Sequence, residues 1–229
     1  MNMTGREKLR KPCRWCSERA LVTALLLVLG GCATGVATKP DIVKEEPVMQ
    51  QGTTVNRFTD GRLGFALNEA EMLSEELQKQ FNDGVNLFLA KDYDASIEQF
   101  DDVIEQAPDI SAPHVDIAMA YRNIDRPELA EDHLNAALQL VPGHPVASQE
   151  YGLLLSGAGR FLQARDIYEQ SLEVFPEYLP LRKNLGILCD LYLRDLECAL
   201  EQYLVYAEFN PEDEYVQLWI SELQLRLGQ

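Results

Sequence analysis

The chain has 229 residues and a formal net charge of −17 at pH 7, with 46% hydrophobic and 25% charged residues. This length predicts one or two domains. The acidic balance argues against a nucleic-acid-binding protein, because a phosphate backbone is bound through a basic face. We therefore expect no nucleic acid among its partners.

The beginning of the chain differs in charge from the acidic remainder. Residues 1–31 hold six Lys or Arg and two Glu, and they include the apolar run 20–31. That run is too short for a membrane-spanning helix, which takes about 20 residues. A basic segment, a short apolar run and small residues are typical of a secretory signal peptide. The sequence predicts a removed signal over 1–31, with an internal core helix as the alternative.

The apolar run ends in Leu29-Gly30-Gly31-Cys32, which resembles the lipobox of bacterial lipoproteins. The resemblance implies cleavage before Cys32 and attachment of acyl chains such as palmitate to that residue. Two or more acyl chains hold a protein stably to a membrane. Ala33, in place of the Asp that marks retention at the inner membrane, implies the periplasmic face of the outer membrane.

Residues 33–56 are rich in Thr, Pro, Gly and charge, show no helical period, and predict a flexible tether. The stretch 57–68 is ambiguous, with Phe58 and Phe65 as candidates to dock on the helical part of the chain. We assign the lipidated cysteine and the tether to 32–68 and a folded body to 69–229.

From about residue 69 the pattern is helical, and residue types recur every 34 positions. Three series carry the recurrence: Pro108, Pro142 and Pro176; Gly84, Ala118, Gly152 and Gly186; Ser96, Ala130 and Ala164. Ala199 and Pro211 come one residue late. This slip predicts one extra residue in the last repeat, around Tyr192–Glu197.

The period and the residue types resemble the tetratricopeptide repeat (TPR) over about residues 77–211. The resemblance implies an all-α, right-handed solenoid of about four helical hairpins. The stretch 212–229 adds a capping helix with one apolar face, formed by Val216, Ile220, Leu223 and Leu227. Small residues at the eighth and twentieth repeat positions let paired helices approach. Large residues fill the space beside the crossing at the twenty-fourth: Phe100, Leu134, Tyr168 and Tyr203.

The inner face of the first helices is the predicted partner-binding surface. In the family that the chain resembles, the fifth, ninth and twelfth positions face this groove, and here the ninth is apolar in every repeat. The predicted groove residues are Phe81, Val85, Phe88, Val115, Met119, Arg122, Gln149, Leu153, Lys183 and Ile187. Such a groove suits a protein segment with apolar anchors, neutral or basic on its facing side. The alternative is that the apolar stripe packs between repeats.

Motifs that carry chemistry are missing from the sequence. It contains no HExxH, P-loop, GxSxG or GxGxxG pattern, and His114, His133 and His144 fall at different repeat positions without ligand spacing. We predict a protein that is not an enzyme, without catalytic, cofactor or metal site or small-molecule substrate. Cys189 and Cys198 flank one turn, close enough for a disulfide in an oxidising compartment. The alternative is two buried thiols.

Together these features predict a lipid-anchored periplasmic scaffold or adaptor that binds another envelope protein in a TPR groove. Two narrower roles stay open. One is a pilotin-like assembly factor for a secretin or type IV pilus, and the other is an adaptor for peptidoglycan enzymes.

Overall fold

The computed structural model describes residues 53–59, 63–69 and 73–228. A short β-hairpin precedes a stack of helices. The strands are β1 (Thr54–Arg57) and β2 (Phe65–Asn68), and the helices are α1 (Glu75–Leu89), α2 (Tyr93–Gln106), α3 (Ser111–Asn123), α4 (Pro127–Leu140), α5 (Pro145–Gly157), α6 (Phe161–Val174), α7 (Leu179–Ile187), α8 (Leu196–Phe209) and α9 (Glu214–Leu227). The predicted signal peptide and Cys32 lie outside the described residues. Within those residues, no helix has both the length and the apolar character to span a membrane.

The helices pair as four hairpins, α1–α2, α3–α4, α5–α6 and α7–α8, which confirms the predicted repeats. Successive first helices contact one another, α1 with α3, α3 with α5 and α5 with α7, and each second helix packs on the first helix of the next repeat. The layer of first helices is therefore the inner layer of the stack. Each repeat thereby buries apolar surface against its neighbours, and the buried residues that the structure describes form three hydrophobic clusters along the stack.

An aromatic ring lies over a glycine where the two helices of a repeat cross. A Cβ added to Gly84 would stand 2.8 Å from Cε1 of Phe100, and one added to Gly152 or Gly186 would overlap the tyrosine ring at the equivalent position. The Phe100 ring has no exposed surface. The small eighth position and the large twenty-fourth position thus form one packing unit.

The extra residue of the last repeat lies in the continuation of α7, a π-helical segment over Leu188–Leu193. In the first repeat the amide of Asp92 donates to the carbonyl of Leu87, five residues earlier, whereas Asp195 donates to Cys189, six residues earlier. Local π turns occur as bulges in α-helices. The sequence predicts the extra residue around Tyr192–Glu197, partly in the turn that follows this segment. In the structure it lies in the π-helical segment itself, before that turn.

Part of the predicted tether over 32–68 is structured, because its described residues include two paired strands, Thr54–Arg57 and Phe65–Asn68; residues 32–52 lie outside the described residues. Thr54 lies opposite Asn68 and Arg57 opposite Phe65 in an antiparallel register. The ring of Phe65 packs on Phe175, with 4.8 Å between centroids. The docking considered for Phe65 is therefore present, and it is made with the third repeat.

Helix α9 caps the last repeat as predicted. Its Val216, Ile220 and Leu223 are buried, and the Trp219 ring lies 5.3 Å from the Tyr203 ring between centroids. The Asp213 carboxylate accepts from the amide of Val216 and so satisfies an N–H of the first turn. The cap covers apolar surface that the fourth hairpin leaves open.

Candidate functional site

Of the four apolar residues at the ninth repeat position, only one is exposed to solvent. Val85, Met119 and Ile187 are half-buried and pack against the core clusters. Leu153 is 40% exposed. The alternative of packing between repeats thus describes three of these four residues, and Leu153 is the member that faces solvent.

The groove residues of the first two repeats mostly belong to the core. Val115 is 4% exposed and packs within the core cluster that extends from α3 to α9, so it contributes to the core rather than to an open groove surface. Phe81 packs on Phe100 with 5.4 Å between ring centroids. Phe88 lies at the same distance from the Tyr93 ring. Both phenylalanines therefore pack against aromatic rings of the first repeat, between α1 and α2.

Both cations of the predicted groove are paired within the chain. Arg122 forms an ion pair with Glu150, whose side chain is 8% exposed. Lys183 Nζ donates to Asp213 Oδ2 at 2.6 Å and lies 5.1 Å from the centroid of the Tyr206 ring. The hydrogen bond to Asp213 raises the pKa of Lys183. Because both side chains already have an acidic partner within the chain, they are poorly placed to bind carboxylates of another protein.

A cleft of about 490 Å³ lies beside Leu153, at the helix turns of the second and third repeats; we call it the turn cleft. Leu153 and Leu154 provide its apolar wall. At its edge, Arg160 Nη1 donates to both carboxylate oxygens of Glu131, at 2.8 and 2.7 Å. Tyr151 OH donates to Glu131 Oε1 at 2.8 Å. The cleft therefore has an apolar wall and a polar rim, where Arg160 is paired with Glu131 and the acidic side chains of Asp125 and Glu128 also contribute.

The ionisation of Glu131 follows from these contacts. Burial disfavours the charged carboxylate, but the hydrogen bonds from Arg160 and Tyr151 outweigh it and lower the pKa of Glu131. Glu131 is held as an anion whose charge is met by Arg160. At this point of the rim, Glu131 therefore acts as a hydrogen-bond acceptor that is already engaged by Arg160 and Tyr151.

A larger cleft of about 840 Å³ lies between the β-hairpin and the beginnings of α3, α5 and α7; we call it the hairpin cleft. The hairpin contributes Phe58, Leu63, Gly64, Phe65, Leu67 and Glu69, and the repeats contribute Ala112, His144, Pro145, Val146, Glu177, Tyr178, Leu179, Pro180 and Phe209. The OH of Tyr178 donates to Oε1 of Gln149, a predicted groove residue, at 3.2 Å. The hairpin thus lies at the end of the groove where the first helices begin.

Sequence reasoning missed a contact between two histidines on paired helices. Nδ1 of His114 and Nδ1 of His133 are 3.1 Å apart, so one ring donates to the other. Burial and the neighbouring His133 lower the pKa of His114 to about 4, which favours the neutral pair. Among the described residues, no group of three His, Cys, Asp or Glu is placed to hold a metal ion. The nineteen-residue separation of the two histidines matches neither helix period nor a metal motif.

Cys189 and Cys198 form a disulfide, with 6.0 Å between their Cα atoms. The bond joins the π-helical segment to the first turn of α8. Asp195 lies between them, caps α8 by accepting from the amide of Cys198, and accepts from Arg165 Nη1 at 2.9 Å. The irregular turn is therefore held at both ends.

Comparison with known proteins supports the repeat. No protein-family profile matches the chain. Over 113 residues, 49% of the chain, it is 30% identical to the small glutamine-rich tetratricopeptide repeat-containing protein 2 of Mycosarcoma maydis, of which the match covers 31%. The PilF structure from Pseudomonas aeruginosa superimposes with a TM-score of 0.59 at 18% identity, over 66% of this chain and 69% of that chain. MamA from Desulfovibrio magneticus RS-1 gives 0.57 at 16% identity, over 69% and 88%.

These likenesses establish the fold, an all-α solenoid of TPR hairpins with a capping helix. A chain of the Naa15/Naa10 complex bound to HypK shares this fold, with a TM-score of 0.57 at 16% identity over 67% of this chain and 23% of that chain. The present chain matches about a third of the length of its curated relative. At this level of similarity, the comparisons support the fold and the repeat of the chain.

Proposed function

We propose that the chain is a membrane-anchored scaffold of the bacterial envelope that binds a protein partner along the inner face of its repeats. The exposed Leu153 side chain in the turn cleft is the observation that carries this proposal, because an apolar anchor site framed by fixed polar groups is the usual anatomy of a protein-binding surface. TPR proteins generally act as interaction scaffolds rather than enzymes, and we propose the same here.

The charge of the body supports a neutral or basic partner. Residues 73–228 hold 29 acidic and ten basic side chains, and Arg122 and Lys183 are engaged within the chain. Complementary potentials raise association rates and disfavour acidic competitors. The partner segment is therefore expected to be apolar at its anchor and neutral or basic around it.

The test replaces Leu153 with Asp in the full-length protein, with a photoreactive amino acid at Met119 to capture the partner in cells. A carboxylate in the turn cleft adds an unpaired charge at an apolar contact, and we expect capture to fall by about tenfold or more. Leu225→Asp is the matched control, since Leu225 is 80% exposed on the capping helix. Equal capture by both variants with helicity intact would contradict the proposed groove.

Membrane anchoring is part of the same proposal and rests on the lipobox at Cys32. Cys32→Ser removes the acceptor for the acyl chains while leaving the folded body unchanged. We expect the variant to appear in the soluble periplasmic fraction. Its retention in the outer membrane after a high-salt wash would show that the anchor is not Cys32.

A further inference from the structure

We propose that the surface under the β-hairpin is a second docking site for the partner, which the hairpin occupies until a partner segment of like chemistry replaces it. The hairpin-docking surface consists of Ser111, Val174, Phe175, Glu177 and Tyr178, at helix ends of the second to fourth repeats. The proposal rests on the proposed function, because it extends the same inner groove and specifies the partner's side chains.

Three side chains anchor the hairpin. Arg57 Nη2 donates to the carbonyl of Val174 at 2.6 Å, at the end of α6, where a cation is favoured by the helix dipole. The Glu69 carboxylate accepts from the amide and hydroxyl of Ser111 at 2.6 and 2.8 Å, at the beginning of α3, where an anion is favoured. The Phe65 ring packs on Phe175 between them.

The two strands have little stability of their own. Each strand has four residues, and an isolated two-stranded hairpin is marginal in water. Phe58 and Leu63, at the loop between the strands, remain 41% and 43% exposed. Local segments with few buried contacts open at a small fraction of the global unfolding free energy. The hairpin is therefore the part of the described structure best suited to leave its place.

The hairpin also leaves its surface incompletely filled. The hairpin cleft of about 840 Å³ separates it from Val146 and Pro180, and Phe209 beside the cleft is 47% exposed. This volume lies within the usual range for binding pockets. A longer extended segment can fill both the hairpin's place and the adjacent cleft.

Glu177 determines what can replace the hairpin. Its side chain is 10% exposed, and Arg57 Nε lies 2.8 Å from its Oε1. Arg57 is itself 52% exposed, but the Oε1 atom of Glu177 is buried, so removal of the arginine leaves a largely buried carboxylate oxygen without its cation, which is unfavourable. A replacement must therefore bring a cation for Glu177, together with an aromatic ring for Phe175. A carboxylate for Ser111 completes the set. The occupant is an extended segment of another protein that carries an Arg or Lys, an aromatic residue and an acid.

The experiment uses a fluorescent synthetic peptide of residues 53–69 as the probe. It is titrated into the full-length protein and into its Phe65→Ala variant, with fluorescence anisotropy as the readout. The tethered hairpin competes at an effective concentration near the millimolar range. We therefore expect the Phe65→Ala protein to bind the peptide about tenfold or more tightly than the unmodified protein. A peptide with Arg57→Gln should not bind, and the Leu63→Ala protein, a matched control, should behave like the unmodified protein.

Equal weak binding by the unmodified and Phe65→Ala proteins would overturn the proposal, since the hairpin would then be a permanent part of the core. A second copy is the other conceivable occupant. If light scattering shows dimers that dissociate when the peptide is added, hairpins exchange between copies and the proposal of a partner segment is wrong. Neither outcome touches the Leu153 test, whose readout is independent of the hairpin.

Discussion

Replacing Gly152 by Ala tests whether the contact between glycine and ring sets the spacing of each helical hairpin. A Cβ at Gly152 would overlap the ring of Tyr168, which is 1% exposed and therefore lies inside the core. The substitution thus places one methyl group into a filled core. Because Gly152 lies inside α5, the same change also improves the helix propensity of that position.

The size of the effect follows from these two opposed contributions. Ala is favoured over Gly inside a helix by about 1 kcal/mol, whereas adding a methyl group to a filled core costs about 1–3 kcal/mol, occasionally more. The ring must retreat by more than about 1 Å to reach an ordinary carbon contact. We expect a net loss of up to about 2 kcal/mol in the free energy of unfolding, equal to a fall of up to about 8 °C in Tm.

Denaturant unfolding followed by far-UV circular dichroism measures this loss, with two further variants for comparison. Gly157→Ala is the control, because a Cβ at that last residue of α5 meets nothing within 4 Å; its stability should be unchanged or higher by up to about 1 kcal/mol. The double variant Gly152→Ala/Tyr168→Leu copies the second repeat, where Ala118 and Leu134 occupy these positions. It should be more stable than the sum of the single changes predicts.

Two results would refute this account of the packing. Gly152→Ala could equal or exceed the stability of Gly157→Ala, which would mean that the ring moves away at negligible cost. Alternatively, the effects of Gly152→Ala and Tyr168→Leu could add without coupling. In that event the two residues would not form one packing unit, and the 34-residue glycine series would need another explanation.

Two further predictions concern the disulfide and acid stability. Reduction of Cys189–Cys198 opens a loop with a sequence separation of 9 and should lower the free energy of unfolding by about 2–3 kcal/mol; an unfolding midpoint that ignores the reductant would contradict this. Burial lowers the pKa of His144 to about 4, so the unfolded chain binds the proton more readily and stability falls as the pH drops from about 6.5 to 4. Asp116, whose pKa burial raises to about 6, acts in the opposite direction below pH 6. His144→Asn keeps an acceptor for the amide of Ala147 and should reduce the loss of unfolding free energy between about pH 6.5 and 4. An unchanged dependence of the unfolding free energy on pH would show that His144 does not cause this loss.

The repeat could be predicted because its signal is local and recurs. A small residue must stand wherever two helices cross, and a proline stands wherever a second helix ends, so the period of 34 records the geometry directly. The series also contained the slip before Ala199. It did not fix the position of the extra residue, since a longer turn and a π-helical segment shift the later residues alike.

The groove residues were predicted less well because helical position does not specify burial. Val115 and Leu153 both lie on first helices at positions typical of a concave face, yet Val115 is 4% and Leu153 40% exposed. Val115 belongs to the hydrophobic core cluster, whereas Leu153 does not. The hairpin lacked a signal of its own, since Glu69 and Ser111 are 42 residues apart and Arg57 and Val174 117.

Three carboxylates near the inner face are each paired with an arginine. They differ in whether that arginine belongs to the helical repeats or to the β-hairpin. Arg122 and Arg160, which are paired with Glu150 and Glu131, belong to the repeats themselves, so both members of each pair stay close together in the folded solenoid. Glu177 is paired with the hairpin's arginine. A basic partner therefore has less to gain from the first two carboxylates, because their arginines are supplied by the same folded repeats and stay near them. Of these three, Glu177 alone can exchange one cation for another, and selectivity for a basic segment should arise there.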